Sequence, residues 1–251
     1  MTVRLEKQGA TAHLLIDRAA KRNAFDLAMW QALPRLLGEA AADPQLRLLV
    51  LRAAEPGAFC AGADIAELLA NKDDPGWRAA NQSAINAAQS ALTRLVLPTI
   101  AWIDGDCVGG GCGLALACDL RVASPRARFG ITPAKLGLVY PLQDVKLLTD
   151  LVGPGQARRM LYTGSLIGAE EALRIGLVEA LGDGIAPFAE PILAASPHST
   201  RQIKGFVRRV LDGQVHDDAE TLAVFADAFA GPDFLEGTRA FVEKRQPEFR
   251  R

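Results

Sequence analysis

The chain has 251 residues, of which 49% are hydrophobic and 23% charged, and its 28 basic and 29 acidic side chains leave a net charge of −1. This length allows one large domain or a main domain with a smaller appendage, and the balanced charge argues against a dedicated nucleic-acid-binding protein. No stretch reaches the roughly 18 uninterrupted apolar residues of a membrane span, and the N-terminus lacks the apolar run of a signal peptide, so we expect a cytoplasmic protein that does not enter a membrane.

Strands and helices alternate along the first half of the chain. Three strands are predicted, over Val3–Lys7, Ala12–Asp17 and Leu46–Arg52. After the second strand, Asp26 is the expected N-cap of a helix whose apolar residues recur at helical spacing. Pro34 lies inside that pattern and is expected to kink or shorten the helix. Two further helices are predicted, over Ile65–Leu69 and Trp77–Leu95.

The second half continues this alternation and then becomes helical. Strands are predicted over Thr99–Asp104, Leu120–Ala123, Arg128–Gly130 and near Val178–Leu181. The segment from Gly105 to Gly111 is predicted to be a loop, and Cys112–Cys118 a helix of small residues. Later helices are predicted over Gln143–Val152, Pro154–Thr163, Ala169–Ile175 and, as several more, from Ile185 to Arg245. This order predicts an α/β core over residues 1–192 and a helical region over residues 193–251.

Two small-residue turns, each between a buried strand and a helix, carry the candidate chemistry. They are Phe59–Ile65 and Asp104–Ala115. Small residues let a ligand approach the backbone closely, and a helix N-terminus presents unpaired N–H groups. One glycine run is usually only a tight turn, but two such turns together would supply paired donors to one developing oxyanion. The run Gly109–Gly113 lacks the Lys-Ser or Lys-Thr of a P-loop and does not follow the first strand as a Rossmann turn does.

Four cysteines are present, Cys60, Cys107, Cys112 and Cys118. They lack the paired C-x-x-C spacing of a zinc site, so no metal is expected. Three of them lie among alanine, leucine and glycine, where a thiol behaves as a small hydrophobic group. We therefore expect buried, reduced thiols.

An ordered set of motifs resembles the crotonase (enoyl-CoA hydratase/isomerase) family. The motifs are Lys21–Ala24, Phe59–Ile65, Gly109–Cys112, Gly164 with Ala169–Ala172, Gly176–Val178 and Ala240–Arg245. The resemblance spans nearly the whole chain. It implies an α/β spiral of repeated β-β-α units and a C-terminal helical region used in trimerisation, giving a homotrimer or a dimer of trimers. It also implies an acyl-CoA substrate, with CoA as part of the substrate and no separate cofactor.

The same resemblance implies which residues form the site. The backbone N–H groups of Ala63 and Gly110 would form an oxyanion hole for a thioester enolate. The residues implied to contact CoA are Arg22, Ala24, Ala61, Gly62, Asp64, Ile65, Phe241 and Lys244. The last two would reach CoA from the tail, often across a subunit boundary.

The two glutamates with which hydratases of this family place a water and shuttle its proton are absent. The first position is occupied by Gly113 and the second by Pro133. The aspartate of some isomerases and of the dehalogenase branch would fall close to Pro141. None of these residues can transfer a proton, so ordinary enoyl-CoA hydration is not expected.

Three carboxylates elsewhere are candidate acids. Asp64 is expected to stabilise its turn, and Asp144 to lie at a helix N-terminus that attracts negative charge. Glu67, one turn into the helix after Ala63, is a candidate to face the pocket.

Residues 130–141 show a partial resemblance to the methylmalonyl-CoA decarboxylase branch. Loss of CO₂ leaves an electron pair directly, so no base is needed, and Thr132 and Tyr140 would orient the substrate carboxylate. That branch carries His at the position of Ala63 and Glu at that of Gly113. Three hypotheses stay open: a lyase or isomerase acting through a thioester enolate, a decarboxylase of a malonyl-type acyl-CoA, and a non-catalytic acyl-CoA-binding protein.

Overall fold

Strands and helices alternate in the computed structural model, which describes residues 2–249. The strands are β1 (Val3–Gln8), β2 (Thr11–Ile16), β3 (Leu48–Ala53), β4 (Thr99–Ile103), β5 (Asp106–Val108), β6 (Leu120–Ala123), β7 (Arg128–Gly130), β8 (Ile167–Gly168) and β9 (Ala180–Leu181). The helices are α1 (Leu27–Ala41), α2 (Ile65–Ala70), α3 (Pro75–Thr93), α4 (Gly110–Leu116), α5 (Leu142–Thr163), α6 (Ala169–Arg174), α7 (Ala186–Ala194), α8 (Pro197–Leu211), α9 (Ala219–Ala230) and α10 (Pro232–Glu243).

Two sheets share these strands. The larger sheet has the order β1-β2-β3-β4-β6-β9 and is parallel except for the β1–β2 hairpin. The smaller sheet has the order β5-β7-β8, and a bridge from Cys60 to Cys107 extends it. Successive turns place one strand in each sheet and then a helix, as in β4–β5–α4 and β6–β7–α5. The α/β spiral of β-β-α units expected from the sequence is confirmed.

Apolar clusters cover both faces of the larger sheet. The main core lies between the sheets and helices α1, α3, α4 and α5, and all four cysteines are buried in it, as expected. A smaller cluster under α7 joins Leu48, Val50 and Ile100 to Ala189. Because parallel strands are covered on both faces, they read as continuous apolar runs, and this is why their positions could be predicted.

Helix α1 begins as expected and continues further than expected. Asp26 caps it by accepting a hydrogen bond of 2.9 Å from the N–H of Met29. The helix runs through Pro34 to Ala41, so Pro34 does not shorten it, and the kink expected as the alternative stays a prediction. The buried face of α1, which includes Trp30, packs against α3, and this packing outweighs the hydrogen bond that Pro34 cannot donate.

The segment after β4 differs from the predicted loop. Strand β5 lies inside it, and α4 begins at Gly110, two residues before the predicted start. β5 has only three residues and is formed through its parallel pairing with β7, a long-range contact that local periodicity cannot reveal. β8, with two residues, was missed for the same reason.

The C-terminal helices pack on the core through polar anchors from α8. Lys204 lies 2.8 Å from the Asp119 carboxylate and donates to the Leu97 carbonyl at 2.8 Å, and Arg201 donates to the Leu46 carbonyl at 3.0 Å. The predicted division after residue 192 falls inside α7. Within residues 2–249, no helix combines the length and apolarity needed to cross a membrane.

Candidate active site

The two small-residue turns lie against each other. A Cβ atom placed on Gly62 would stand 3.0 Å from the Val108 carbonyl oxygen and 3.4 Å from the Gly110 nitrogen. Gly62 also has φ = 100°, a backbone conformation that favours glycine. The glycine at position 62 therefore permits the close contact between the two turns that carry the candidate donors.

A third segment, residues 18–25, holds the first turn in place. The Ala61 N–H donates to the Arg22 carbonyl at 3.0 Å, and the Phe25 N–H donates to the Gly62 carbonyl at 2.8 Å. The buried Asn23 side chain donates to the Ala58 carbonyl at 2.7 Å. The motif Lys21–Ala24 thus acts through its backbone and through Asn23 to fix the turn that carries Ala63.

The backbone N–H groups of Ala63 and Gly110 belong to the two turns that contact each other. Phe25 and Ala63 form a parallel bridge whose hydrogen bonds use the Gly62 carbonyl and the Asp64 N–H, so the N–H of Ala63 points away from the bridge. Gly110 is the first residue of α4, where a helix leaves its N–H groups unpaired. Neither N–H has an acceptor within residues 2–249. The two turns that carry the sequence-predicted pair thus contact each other and both N–H groups are free, while their role as an oxyanion hole stays a prediction.

Glycines are required around the second donor. Gly109, the N-cap of α4, has φ = 54°. A Cβ on Gly111 would stand 2.3 Å from the Cys60 carbonyl oxygen, which is backbone and cannot move aside. The run Gly109–Gly111 is thus explained by one strained conformation and one close backbone contact.

Two of the candidate carboxylates are engaged in capping. Asp64 accepts from the Ala66 N–H at 3.0 Å and pairs with Arg18 at 2.9 Å. Burial raises the pKa of Asp64, but the hydrogen bonds from Glu67 N–H, Arg18 and Ala66 N–H outweigh it and hold that pKa below its usual value. Glu67 accepts from the Leu27 N–H at 3.0 Å and so caps α1. The turn-stabilising role expected for Asp64 is confirmed.

The residues implied to line CoA divide into two groups. Arg22, Ala24, Ala61, Gly62, Asp64 and Ile65 lie together on the hydrogen-bonded segments beside the two turns. The Arg22 guanidinium is largely exposed and pairs with Asp106, which also binds Arg128 at 2.8 Å. Those arginines, Arg128 foremost, hold the pKa of Asp106 below its usual value. This side of the site therefore carries exposed positive charge.

Phe241 and Lys244 form the second group, at the end of α10. Phe241 is 85% exposed, and Lys244 ends the helix in a left-handed conformation with φ = 56°. Within the described residues, no hydrogen bond or ion pair joins either one to the two turns. Their contact with CoA stays a prediction.

Tyr140 and Thr132 approach the second turn from the segment before α5. The buried Tyr140 hydroxyl donates to the Gly109 carbonyl at 3.0 Å, and burial raises its pKa. The Thr132 hydroxyl would lie 3.9 Å from a Cβ placed on Gly109. Both side chains therefore border the second turn, and Tyr140 fixes the Gly109 carbonyl. The role predicted for them, orienting a substrate carboxylate, stays a prediction.

The space above Gly113 is occupied by two buried polar side chains. A Cβ on Gly113 would stand 2.5 Å from Gln89 Nε2 and 3.1 Å from Asp144 Oδ1. Gln89 is 0% and Asp144 1% exposed. Neither the Gln89 amide atoms nor Asp144 Oδ1 has a hydrogen-bond partner of normal geometry in the described chain. Burial raises the pKa of Asp144 to about 7, although the nearby Gln89 amide lowers it.

The sequence alone did not assign Gln89 to the site, and it named Asp144 as a candidate acid but expected it to lie at a helix N-terminus. A signal was available for Gln89, because it stands at helical spacing among the buried Ala84, Ala88 and Leu92 of α3. A polar residue on an apolar helix face is an informative exception. Asp144 gave no comparable signal, since an aspartate in the first turn of a helix is common.

Comparisons with known proteins match the chain over nearly its whole length. The family model of enoyl-CoA hydratase/isomerase matches residues 6–251. The chain is 33% identical to the (E)-benzylidenesuccinyl-CoA hydratase of Thauera aromatica, covering 100% of this chain and 99% of the relative. It is also 33% identical to the crotonyl-CoA hydratase of Syntrophomonas wolfei, covering 98% and 96%.

Solved structures also resemble this chain in fold. A Hyphomonas neptunium protein assigned to the enoyl-CoA hydratase/isomerase family has a TM-score of 0.95 at 39% identity, covering 100% of this chain and 98% of that one. An enoyl-CoA hydratase/carnithine racemase from Magnetospirillum magneticum has a TM-score of 0.94 at 29% identity, covering 100% and 96%.

Proposed function

Because this chain belongs to the enoyl-CoA hydratase/isomerase family, we propose that it binds an acyl-CoA thioester and stabilises its enolate with the N–H groups of Ala63 and Gly110. The observation that supports this proposal is the contact between the two turns, in which Gly62, the neighbour of Ala63, lies against Gly110, while neither N–H of the proposed pair has a partner in the described residues. The charge of an enolate develops on the thioester oxygen. Donors already fixed around that oxygen stabilise the charge without reorganisation.

The CoA part of the substrate would lie along the hydrogen-bonded segments beside the first turn. Arg22 and Arg128 place positive charge there, suited to the phosphates of CoA. Ala61 and Gly62 carry no bulky side chain, and the Ala61 carbonyl, which accepts no hydrogen bond from the described residues, can pair with a pantetheine amide. The acyl group would then extend from the oxyanion hole along α4 toward Gly113.

The absence of carboxylates at positions 113 and 133 supports a reaction other than ordinary hydration. Hydration of an enoyl thioester needs one group to activate water and one to protonate carbon, a general acid–base task. Pro133 begins a short 3-10 turn and has no proton to transfer. The relatives named above are hydratases by name, so this chain is proposed to have kept their thioester chemistry and lost the water-activating pair.

Decarboxylation of a malonyl-type thioester has weaker support from the geometry. The Tyr140 hydroxyl is committed to the Gly109 carbonyl, and an ionised Asp144 nearby would repel a substrate carboxylate. An enolate-forming isomerase or lyase fits the buried groups better. The non-catalytic alternative differs from both by predicting binding without turnover.

The test combines a substrate panel with a pair of backbone variants. The purified protein is incubated with enoyl-, malonyl-type and hydroxyacyl-CoA thioesters, and products are identified by mass spectrometry. Ala63→Pro removes the proposed donor, whereas Ala63→Gly keeps it. We expect turnover to fall roughly 10²–10³-fold in Ala63→Pro and to survive in Ala63→Gly. If the protein binds thioesters but forms no product from any of them, the non-catalytic alternative is supported. If it forms hydroxyacyl-CoA from crotonyl-CoA at the rate of a hydratase, the proposal that it lacks hydratase activity for want of the two glutamates is contradicted.

A further inference from the structure

We propose that Asp144 is the catalytic residue that transfers protons on the bound thioester, and that Gln89 positions it. This inference rests on the proposed function, because the enolate must first be held by Ala63 and Gly110. Asp144, on α5, would thus supply the proton-transferring carboxylate that is absent from the two expected positions, 113 and 133.

Position relative to α4 is the first argument. Gly113 follows Gly110 by three residues, so it lies on the same face of α4 about 4.5 Å further along the axis. Asp144 Oδ1 lies 3.1 Å from the place where a Cβ of residue 113 would stand. A carboxyl group therefore lies about one helical turn from the donor that would hold the thioester oxygen. The carbon atoms next to the carbonyl fall within that interval.

The unpaired state of these groups is the second argument. Buried carboxylates and amides in native proteins nearly always have hydrogen-bond partners, and exceptions call for an explanation. Asp144 Oδ1 and both polar atoms of the Gln89 side chain lack such partners. The Gln89 amide is close enough to Asp144 to lower its pKa, so the two side chains interact without a hydrogen bond of normal geometry. A site that holds a proton acceptor ready for a substrate explains why they are unpaired.

The surroundings of Asp144 suit proton transfer near neutral pH. The groups that face it are the Gln89 amide on α3, the Tyr140 hydroxyl before α5 and the Gly113 position on α4, and none of them is charged at pH 7. Burial raises the pKa of Asp144 to about 7. A base with a pKa near the working pH combines a sufficient ionised fraction with a sufficient affinity for the proton.

A single carboxyl group of this kind fits the isomerisation of a 3-enoyl thioester to a 2-enoyl thioester. The Asp144 carboxylate removes a proton from C2. The C–H electron pair forms the C1–C2 double bond, while the carbonyl pair moves onto the thioester oxygen in the hole. Asp144 then returns the proton to C4, where the C3–C4 π pair forms the new C–H bond. The C1–C2 pair becomes the C2–C3 double bond, and the carbonyl re-forms with no other reactant.

The experiment measures proton exchange and isomerisation in matched variants. Wild-type protein is incubated in D₂O with 3-enoyl-CoA and with a saturated acyl-CoA, and deuterium at C2 and double-bond migration are followed by mass spectrometry and NMR. Asp144→Asn should lower both rates at least 100-fold, while affinity for the saturated thioester stays within threefold. Asp150→Asn, on the same helix in an ion pair with Lys146, should behave as wild type.

The pH profile separates a catalytic role from a structural one. In wild type, kcat/KM should rise with pH to a plateau with a midpoint near 7, because the ionised form of Asp144, whose pKa is raised to about 7, is the active one. Gln89→Met, similar in size, should shift that midpoint upward, since the Gln89 amide lowers the pKa of Asp144. A folded Asp144→Asn that exchanges protons at the wild-type rate would overturn the assignment. Wild type that binds thioesters but neither exchanges nor isomerises them would also overturn it, whereas failure to bind any thioester would overturn the proposed function itself.

Discussion

Gly113 has no side chain at the position expected to carry a catalytic glutamate, and the side chains of Gln89 and Asp144 occupy that space. A side chain there would meet Gln89 Nε2 at 2.5 Å and Asp144 Oδ1 at 3.1 Å, closer than a Cβ atom normally approaches. We therefore expect Gly113→Ala to lower the free energy of unfolding by about 1–3 kcal/mol, the usual effect of overpacking a core. Urea unfolding of both proteins measures the change.

Gly38 offers the matched control for that substitution. It lies inside α1, and no atom stands within 4 Å of the place that a Cβ would take, so alanine meets no neighbour there. Gly38→Ala should raise the free energy of unfolding by about 0.5–1 kcal/mol through helix propensity alone. Equal effects of the two substitutions would contradict the packing described above Gly113.

Asp144 also predicts a pH dependence of stability. Its pKa is raised from the usual 3.8 to about 7 in the folded chain, so between these values the folded state holds a proton that the unfolded state has lost. Stability from this group is thus fully present below pH 4 and declines as pH rises to about 7, by up to about 4 kcal/mol. As pH rises over that range, the unfolding free energy of wild type should fall relative to that of Asp144→Asn. A difference independent of pH would contradict the raised pKa.

The residues of the site differ in how far the sequence could predict them. Ala63 and Gly110 could be placed because their role depends on the backbone and on motifs that lie in order along the chain. The proximity of Asp144 and Gln89 could not be predicted, because it depends on how α3 and α5 pack around α4. Contacts between helices distant in sequence leave no local pattern.

At the scale of elements, replacing the proline inside α1 and the proline inside α5 should change the free energy of unfolding differently. Pro34 lies in the interior of α1, where it removes one hydrogen bond of the helix. Pro154 follows Gly153, whose φ of 72° and ψ of 164° break α5, so Pro154 stands at the first position of a new helical segment. Proline is well tolerated at such a start.

We expect Pro34→Ala to raise the free energy of unfolding by about 1–3 kcal/mol, reduced somewhat by the greater freedom of the unfolded chain. Pro154→Ala should leave it unchanged or lower it slightly. Thermal unfolding of both variants measures these effects. A gain in Pro154→Ala as large as in Pro34→Ala would show that α5 is continuous through Gly153.

The elements themselves were predictable in proportion to their length. Helices such as α3, with 19 residues, and strands such as β3 repeat their pattern often enough to be recognised. β5 and β8 have three and two residues and are defined by their partners in the smaller sheet. The break at Gly153 agrees with the two separate helices predicted there, Gln143–Val152 and Pro154–Thr163.

At the scale of the whole molecule, the C-terminal helices expose an aromatic face formed by Phe225, Phe229 and Phe234. The Phe229 ring contacts both others, with centroid distances of 5.5 Å to Phe225 and 5.1 Å to Phe234, and each residue is at least 42% exposed. Exposed aromatic clusters of this kind mark interaction surfaces. Together with the trimerisation implied by the family resemblance, this face is proposed to bind further copies of the chain.

Light scattering coupled to gel filtration should therefore give a mass of three or six times the 26.8 kDa of one chain. Phe229→Arg places a charge at the centre of the aromatic face and should shift the protein toward smaller species, because burying an unpaired charge is strongly unfavourable. Val96→Arg, at a half-exposed position outside the tail, should keep the wild-type mass. If Phe241 and Lys244 reach CoA in a neighbouring subunit, Phe229→Arg should also weaken CoA binding, while a monomeric wild type would rule out the shared site.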